Sequence, residues 1–139
     1  MPVEHQPPER DPAGEIVPHD HPEIRDHEHV IRHIMPNEMV SDGNGGRRLS
    51  SGAFSESSGG GMSVDIESWM IADGLSPRSY LGEPHKGAVR VNVGALRQLG
   101  LKVGWDPDHG HAHHGAVWGI KSSTRKKIRD LADVLRLPE

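Results

Sequence analysis

The sequence contains no cysteine, which removes disulfides, thiolate metal sites and cysteine nucleophiles at once. Aromatic residues are nearly as scarce, with one phenylalanine, one tyrosine and three tryptophans among 139 residues. Apolar residues make up 33% of the chain, so a core has to be assembled from Val, Ile, Leu, Met and the tryptophans. No run approaches the roughly 18 apolar residues that a membrane-spanning helix requires. The stretch from Met1 to Arg10 is polar and acidic and lacks the apolar centre of a signal peptide. A cysteine-free chain with no such segment fits a reducing cytosol. The expectation is a cytoplasmic protein that does not engage membranes.

What the chain has in quantity is glycine, proline and histidine, at 17, 11 and 11 residues. Its length sets a prior of one domain, large enough to bury a core. The net charge of −4 is unevenly spread: residues 1–28 carry eight acids and two bases, and the remainder carries twelve acids and fourteen bases. An acidic leader therefore precedes a mildly basic body. Pro2, Pro7, Pro8, Pro12, Pro18 and Pro22 recur too closely for a helix or a paired strand. With few apolar residues to offset ordering entropy, residues 1–26 read as a disordered, histidine-bearing arm. Residues 27–139 read as a single domain.

Within that domain, His29 to Ile34 is a short β-branched run stopped by Pro36 and reads as a strand. Residues 36–61 read mostly as loop, with glycine-rich turn chemistry at Gly43–Gly46 and Ser57–Gly61. Met62 to Asp65 leads into a short helix over Ile66 to Ile71, for which Asp65 is the expected N-cap. Ala88 to Val93 alternates at period two, as a strand with one buried face does. Gly94 to Leu99 predicts a short helix, and Leu101 to Trp105 and His114 to Ile120 two further strands. Ser122 or Ser123 is expected to cap the longest helix, Thr124 to Leu135, whose Ile128, Leu131, Ala132 and Leu135 form one apolar stripe. This order implies an α+β fold: a small mixed or antiparallel sheet with two or three helices on one side.

Four constellations carry possible chemistry. Asp106, His109, His111 and His113, with His114 next to them, combine imidazole and carboxylate ligands suited to zinc or another divalent transition metal. Alternation along an extended chain would bring His109, His111 and His113 to one face. Equally, such a tract is a polar hairpin loop. Arg47, Arg48, Ser50 and Ser51 offer guanidinium forks, hydroxyls and loop N–H groups of the kind that hold a phosphate or a nucleotide. The spacing is neither that of a Walker loop nor that of a dinucleotide fingerprint. Arg32, a cation inside a β-branched run, is either a further phosphate ligand or a guard on an edge strand. Lys121, Arg125, Lys126, Lys127 and Arg129 form a basic cluster on the last helix, suited to nucleic acid or to an acidic protein, or simply to water. No Ser/His/Asp triad is assignable, and Glu56, Glu67 and Glu83 stand as unranked candidates for a general base.

Three pieces, Arg48-Leu49-Ser50-Ser51-Gly52-Ala53-Phe54, Ser63-Val64-Asp65 and His114-Gly115-Ala116-Val117-Trp118-Gly119, resemble those of small uncharacterised bacterial proteins. An arginine on an early strand followed by a serine-bearing segment is also similar to ADP-ribosyltransferase-type domains. In that resemblance Arg32 would meet NAD, Ser50 or Ser51 would follow, and a late glutamate would act. This sequence has Ala116 in the strand where that glutamate is expected. The readings that result are a phosphate- or nucleotide-handling transferase or hydrolase with His114 as acid/base, a regulatory or immunity-type subunit docking through its acidic arm or basic helix, and a metal-dependent site at Asp106 to His114.

Overall fold

The computed structural model describes residues 5–57, 60–76, 87–109 and 111–138. Eight strands and three α-helices lie among them: β1 (His29–Ile34), β2 (Met39–Ser41), β3 (Arg47–Leu49), β4 (Met62–Ile66), α1 (Glu67–Ala72), β5 (Gly87–Asn92), α2 (Val93–Gln98), β6 (Lys102–Trp105), β7 (His114–Trp118), α3 (Ser122–Leu131) and β8 (Asp133–Arg136). Six of the strands form one sheet in the order β6-β7-β4-β1-β5-β8, every neighbour antiparallel, and β2 and β3 form a separate hairpin. The fold is α+β, as the order of sequence periodicities implies.

The register assigns each side chain to a face, because residues directly opposite one another share one. Val30 opposes Ile66 and Val91, and Val117 opposes Met62 and Val103. These residues make the main core together with Phe54, Leu96 and Ile128, all of which are fully buried. Ile31 opposes Asp65 and Arg90, His33 opposes Ala88, and Asp65 opposes His114. The second face is therefore polar at its centre, with only a small apolar cluster of Ile31 and Ala88 backed by Leu135.

Several expectations are revised. Met39–Ser41 and Arg47–Leu49, read as loop, pair as a hairpin closed by Asp42, whose carboxylate accepts from the N–H groups of Asn44 and Gly46. Those N–H donors hold the Asp42 carboxyl below the usual carboxylate range. The last helix ends at Leu131 rather than Leu135, and Asp133–Arg136 crosses to pair with β5. The apolar stripe is thus divided: Ile128 packs in the main core, while Leu135 backs the second face. Neither Ser122 nor Ser123 caps α3, whose N-cap position is Lys121. Asn92 does cap α2, its carbonyl accepting from Ala95 N–H at 2.8 Å.

The leader departs most from the expectation of a disordered arm. Its residues 17–21 run along the outer edge of β6: His21 N–H donates to the Val103 carbonyl, and Val103 N–H donates to Asp20. His19 Nδ1 donates to the Val17 carbonyl while its Nε2 accepts Trp105 N–H, which fixes the tautomer. Gly104 makes room for that ring, since a Cβ there would lie 2.6 Å from His19 Nε2. Ile24 is fully buried in the main core. Arg97 on α2 bridges Asp20 and Asp26, and Arg10 makes a two-pronged pair with Asp108 at 2.6 and 2.9 Å. Two of the leader's acids, Asp20 and Asp26, are thus anchored on one arginine of the body, with the Ile24 side chain inserted as a peg.

Candidate functional site

The polar centre of the second face is a chain of alternating imidazoles and carboxylates. His33 on β1 places Nε2 3.0 Å from Asp65 Oδ2 on β4. The other Asp65 oxygen lies 3.7 Å from His113 Nε2, and His113 Nδ1 lies 3.1 Å from Asp73 Oδ2. Asp65 is 7% exposed and His113 2%, whereas the His33 side chain is 32% exposed. Both ends of the chain therefore meet solvent, His33 at one and the half-exposed Asp73 at the other, with Asp65 and His113 buried between them.

Local sequence explains why these groups meet. Asp65 occupies the second-face position of β4 just before α1 begins, and it makes no cap bond to that helix. Asp73 follows the last residue of α1, so Ile66 and that six-residue helix separate the two carboxylates. His113 precedes β7, and its carbonyl accepts Ile66 N–H at 2.8 Å, which extends the β4–β7 pairing by one residue. A buried carboxylate is costly without partners, and Asp65 has an imidazole at each oxygen. A carboxylate set against an imidazole is the arrangement found in histidine acid–base pairs. Next to this chain, Arg90 Nε and its terminal nitrogen both reach Glu67 Oε2, at 2.9 and 2.7 Å.

The residues singled out in the sequence are divided by the sheet. Arg32 belongs to the main-core face. Its Nε donates to the Ala53 carbonyl at 3.0 Å and its terminal nitrogen to the Ser63 carbonyl at 2.8 Å, and burial pushes the guanidinium below its ordinary value. It clamps the 3-10 turn Ser51–Ala53 against β4, and Ser50 caps that turn by accepting Gly52 N–H. Arg47 is tied to the Pro36 carbonyl, and Arg48 is exposed on the hairpin. His114 points to the opposite face from Arg32, its Nδ1 donating to the Asp106 carbonyl at 2.8 Å. Arg32 and Ser51 are brought together, then, and His114 is not brought to them.

In the histidine-rich turn His113 faces Asp65 and Asp73, His111 stacks on His113 with centroids 5.0 Å apart, and the Asp106 carboxylate lies 3.7 Å from His114. The His109 side chain and Glu83 fall outside the described residues. Among the described residues, no group of three or more His, Asp or Glu side chains is arranged to hold a metal ion. Glu56 accepts Gly119 N–H, and Glu67 is taken by Arg90. On α3, Lys121, Lys126 and Lys127 are exposed while Arg125 and Arg129 are half-buried. No helix among the described residues is long and apolar enough to cross a membrane.

Sequence reasoning missed Asp65, His33 and Asp73 as one site. An acid ahead of a short helix has the appearance of a cap, and only the β1–β4 register reveals what Asp65 faces. No family model, no curated protein and no solved structure matches the chain.

Proposed function

We propose that the chain is an acid–base enzyme, a hydrolase or transferase acting on the phosphate of a nucleotide or nucleic acid, with His33 as the group that exchanges the proton. The observation that carries this reading is the 3.0 Å contact between a buried Asp65 carboxylate and a His33 ring that is one-third exposed. Asp65 orients the imidazole and stabilises its cation after it takes a proton from water or a hydroxyl. His113 and Asp73 are positioning residues, holding the far oxygen of Asp65 and the far nitrogen of His113. Phosphate as the electrophile is supported by the cations nearby in the chain. Arg47 is fixed to the Pro36 carbonyl, three residues beyond His33, and Arg48 is the adjacent exposed hairpin residue. A cytoplasmic setting goes with this reading.

The test is turnover of nucleoside mono-, di- and triphosphates, cyclic nucleotides and short oligoribonucleotides by the intact chain. His33→Ala should lower kcat by about 10²–10⁴, the usual contribution of a positioned acid/base. Asp73→Asn should lower kcat less and leave KM unchanged. Native turnover retained in a folded His33→Ala chain, or no turnover of any of these substrates by the native protein, overturns the reading.

A further inference from the structure

Against α1 and β6 the leader inserts a flat ring into a box of aromatic side chains. The His5 imidazole lies parallel to the Trp69 indole, with centroids 3.4 Å apart and planes inclined by 5°. Trp105 closes one side edge-on at 5.6 Å from His5, and His21 meets both indoles edge-on at 5.5 and 6.0 Å. The walls are firmly held. Trp69 is 7% exposed and His21 2%. Trp105 Nε1 donates to the Ala112 carbonyl, and His21 Nδ1 accepts Glu23 N–H.

At the rim stands Glu23. One of its oxygens accepts Gln6 N–H at 2.7 Å and the other lies 3.4 Å from His5 Nδ1. The Gln6 N–H bond, with His5 beside it, holds the Glu23 carboxyl below the usual carboxylate range. The occupant is thus a planar heteroaromatic ring that stacks on tryptophan, and a neighbouring carboxylate receives two adjacent N–H groups from the same short segment. A nucleobase offers the same combination, because every base has a face that stacks on tryptophan. Guanine in addition presents two adjacent N–H donors, which a carboxylate accepts side by side.

We propose that the Trp69–Trp105 box is a nucleobase-binding slot with a preference for guanine, and that His5 is its intramolecular plug. Withdrawal of residues 5–6 bares the Trp69 face and frees both Glu23 oxygens. His21 gives up the 2.7 Å bond from its Nε2 to the Gln6 carbonyl, and it keeps its place through its own N–H to the Val103 carbonyl and through Glu23 N–H to its Nδ1. The slot stands on ring geometry alone and does not depend on proton transfer at His33.

Quenching of tryptophan fluorescence in the full chain, titrated with guanosine, cytidine and adenosine 5′-monophosphates, tests it without any turnover. His5→Ala should bind guanosine monophosphate at least about fivefold more tightly than the native chain, the lower end of what one stacked base contributes. His5→Trp, which fills the slot, should bind it no better than the native chain. Glu23→Gln, combined with His5→Ala, should remove the preference for guanosine over cytidine. Absence of quenching in His5→Ala at millimolar nucleotide overturns the proposal, as does equal affinity for ribose 5-phosphate. A lowered melting temperature in that variant with no nucleotide binding identifies His5 as a structural staple and overturns it too.

Discussion

At the scale of single residues, Arg32 shows how a side chain with the right chemistry for one task is employed in another. Its guanidinium faces the main core, where its two contacts to main-chain carbonyls tie the Ser51–Ala53 turn to β4. Truncation leaves the Ala53 carbonyl unpaired in a part-buried setting, while water can reach the exposed Ser63 carbonyl. At about 1–3 kcal/mol for a group so stranded, Arg32→Ala should lower stability in urea denaturation by that amount. A loss below about 0.5 kcal/mol would show that water replaces the guanidinium. Asp65 was misread in the opposite sense: a residue type that usually caps a helix instead holds His33 and His113. In both cases the residue type was informative and its face was not, because face depends on pairing with a strand that lies far away in sequence.

At the scale of elements, legibility followed periodicity. The alternation in Gly87–Asn92 and the clustered apolar residues of β1, β6 and β7 placed those strands to within a residue or two. The boundary between α3 and β8 was hidden because Leu131 and Leu135 satisfy a helical stripe even though the chain turns between them. The β2–β3 hairpin was hidden because each strand is three residues long and exposes most of its side chains. The start of α2 was placed one residue late and its cap was missed: Asn92, read as part of the strand, caps the helix. Asn92→Ala should cost about 1 kcal/mol, a typical value for loss of an N-cap, read as a shift in the urea midpoint at unchanged slope. The variant also loses the bonds from the Asn92 amide to the Asp26 and Glu28 carbonyls. A cost clearly above 1 kcal/mol would assign the excess to the junction between leader and sheet.

At the scale of the whole molecule, the described part of the leader packs on the folded body, and composition could not show this because its anchors are polar and distant. His19 reaches Trp105, Asp20 reaches Val103 and Arg97, and each partner lies more than seventy residues away. Its attachment should respond to acid with a definite sign. The Glu23 carboxyl is held below its ordinary value, so what it contributes is fully present above the usual glutamate range, about pH 4.3. That contribution is lost as pH falls through the lower value of the folded protein. Acid titration should then produce a change in Trp69 fluorescence before global unfolding seen by circular dichroism. Glu23→Gln should remove that early step; an unchanged step in this variant would place the acid-sensitive anchor elsewhere in the leader.

Both margins of the six-stranded sheet are dressed against company. On one flank the backbone of β6 is occupied by Asp20 and His21; on the other, β8 carries a register irregularity against Ala88 and Val89, and irregular edges pair poorly with a newcomer. A protease nick among the prolines between Glu9 and Pro18 would leave the first flank held only by the contacts downstream of the cut. Once those let go, the bare N–H and C=O of Val103 become a template on which another extended chain can grow, turning a self-limited fold into the seed of a polymer.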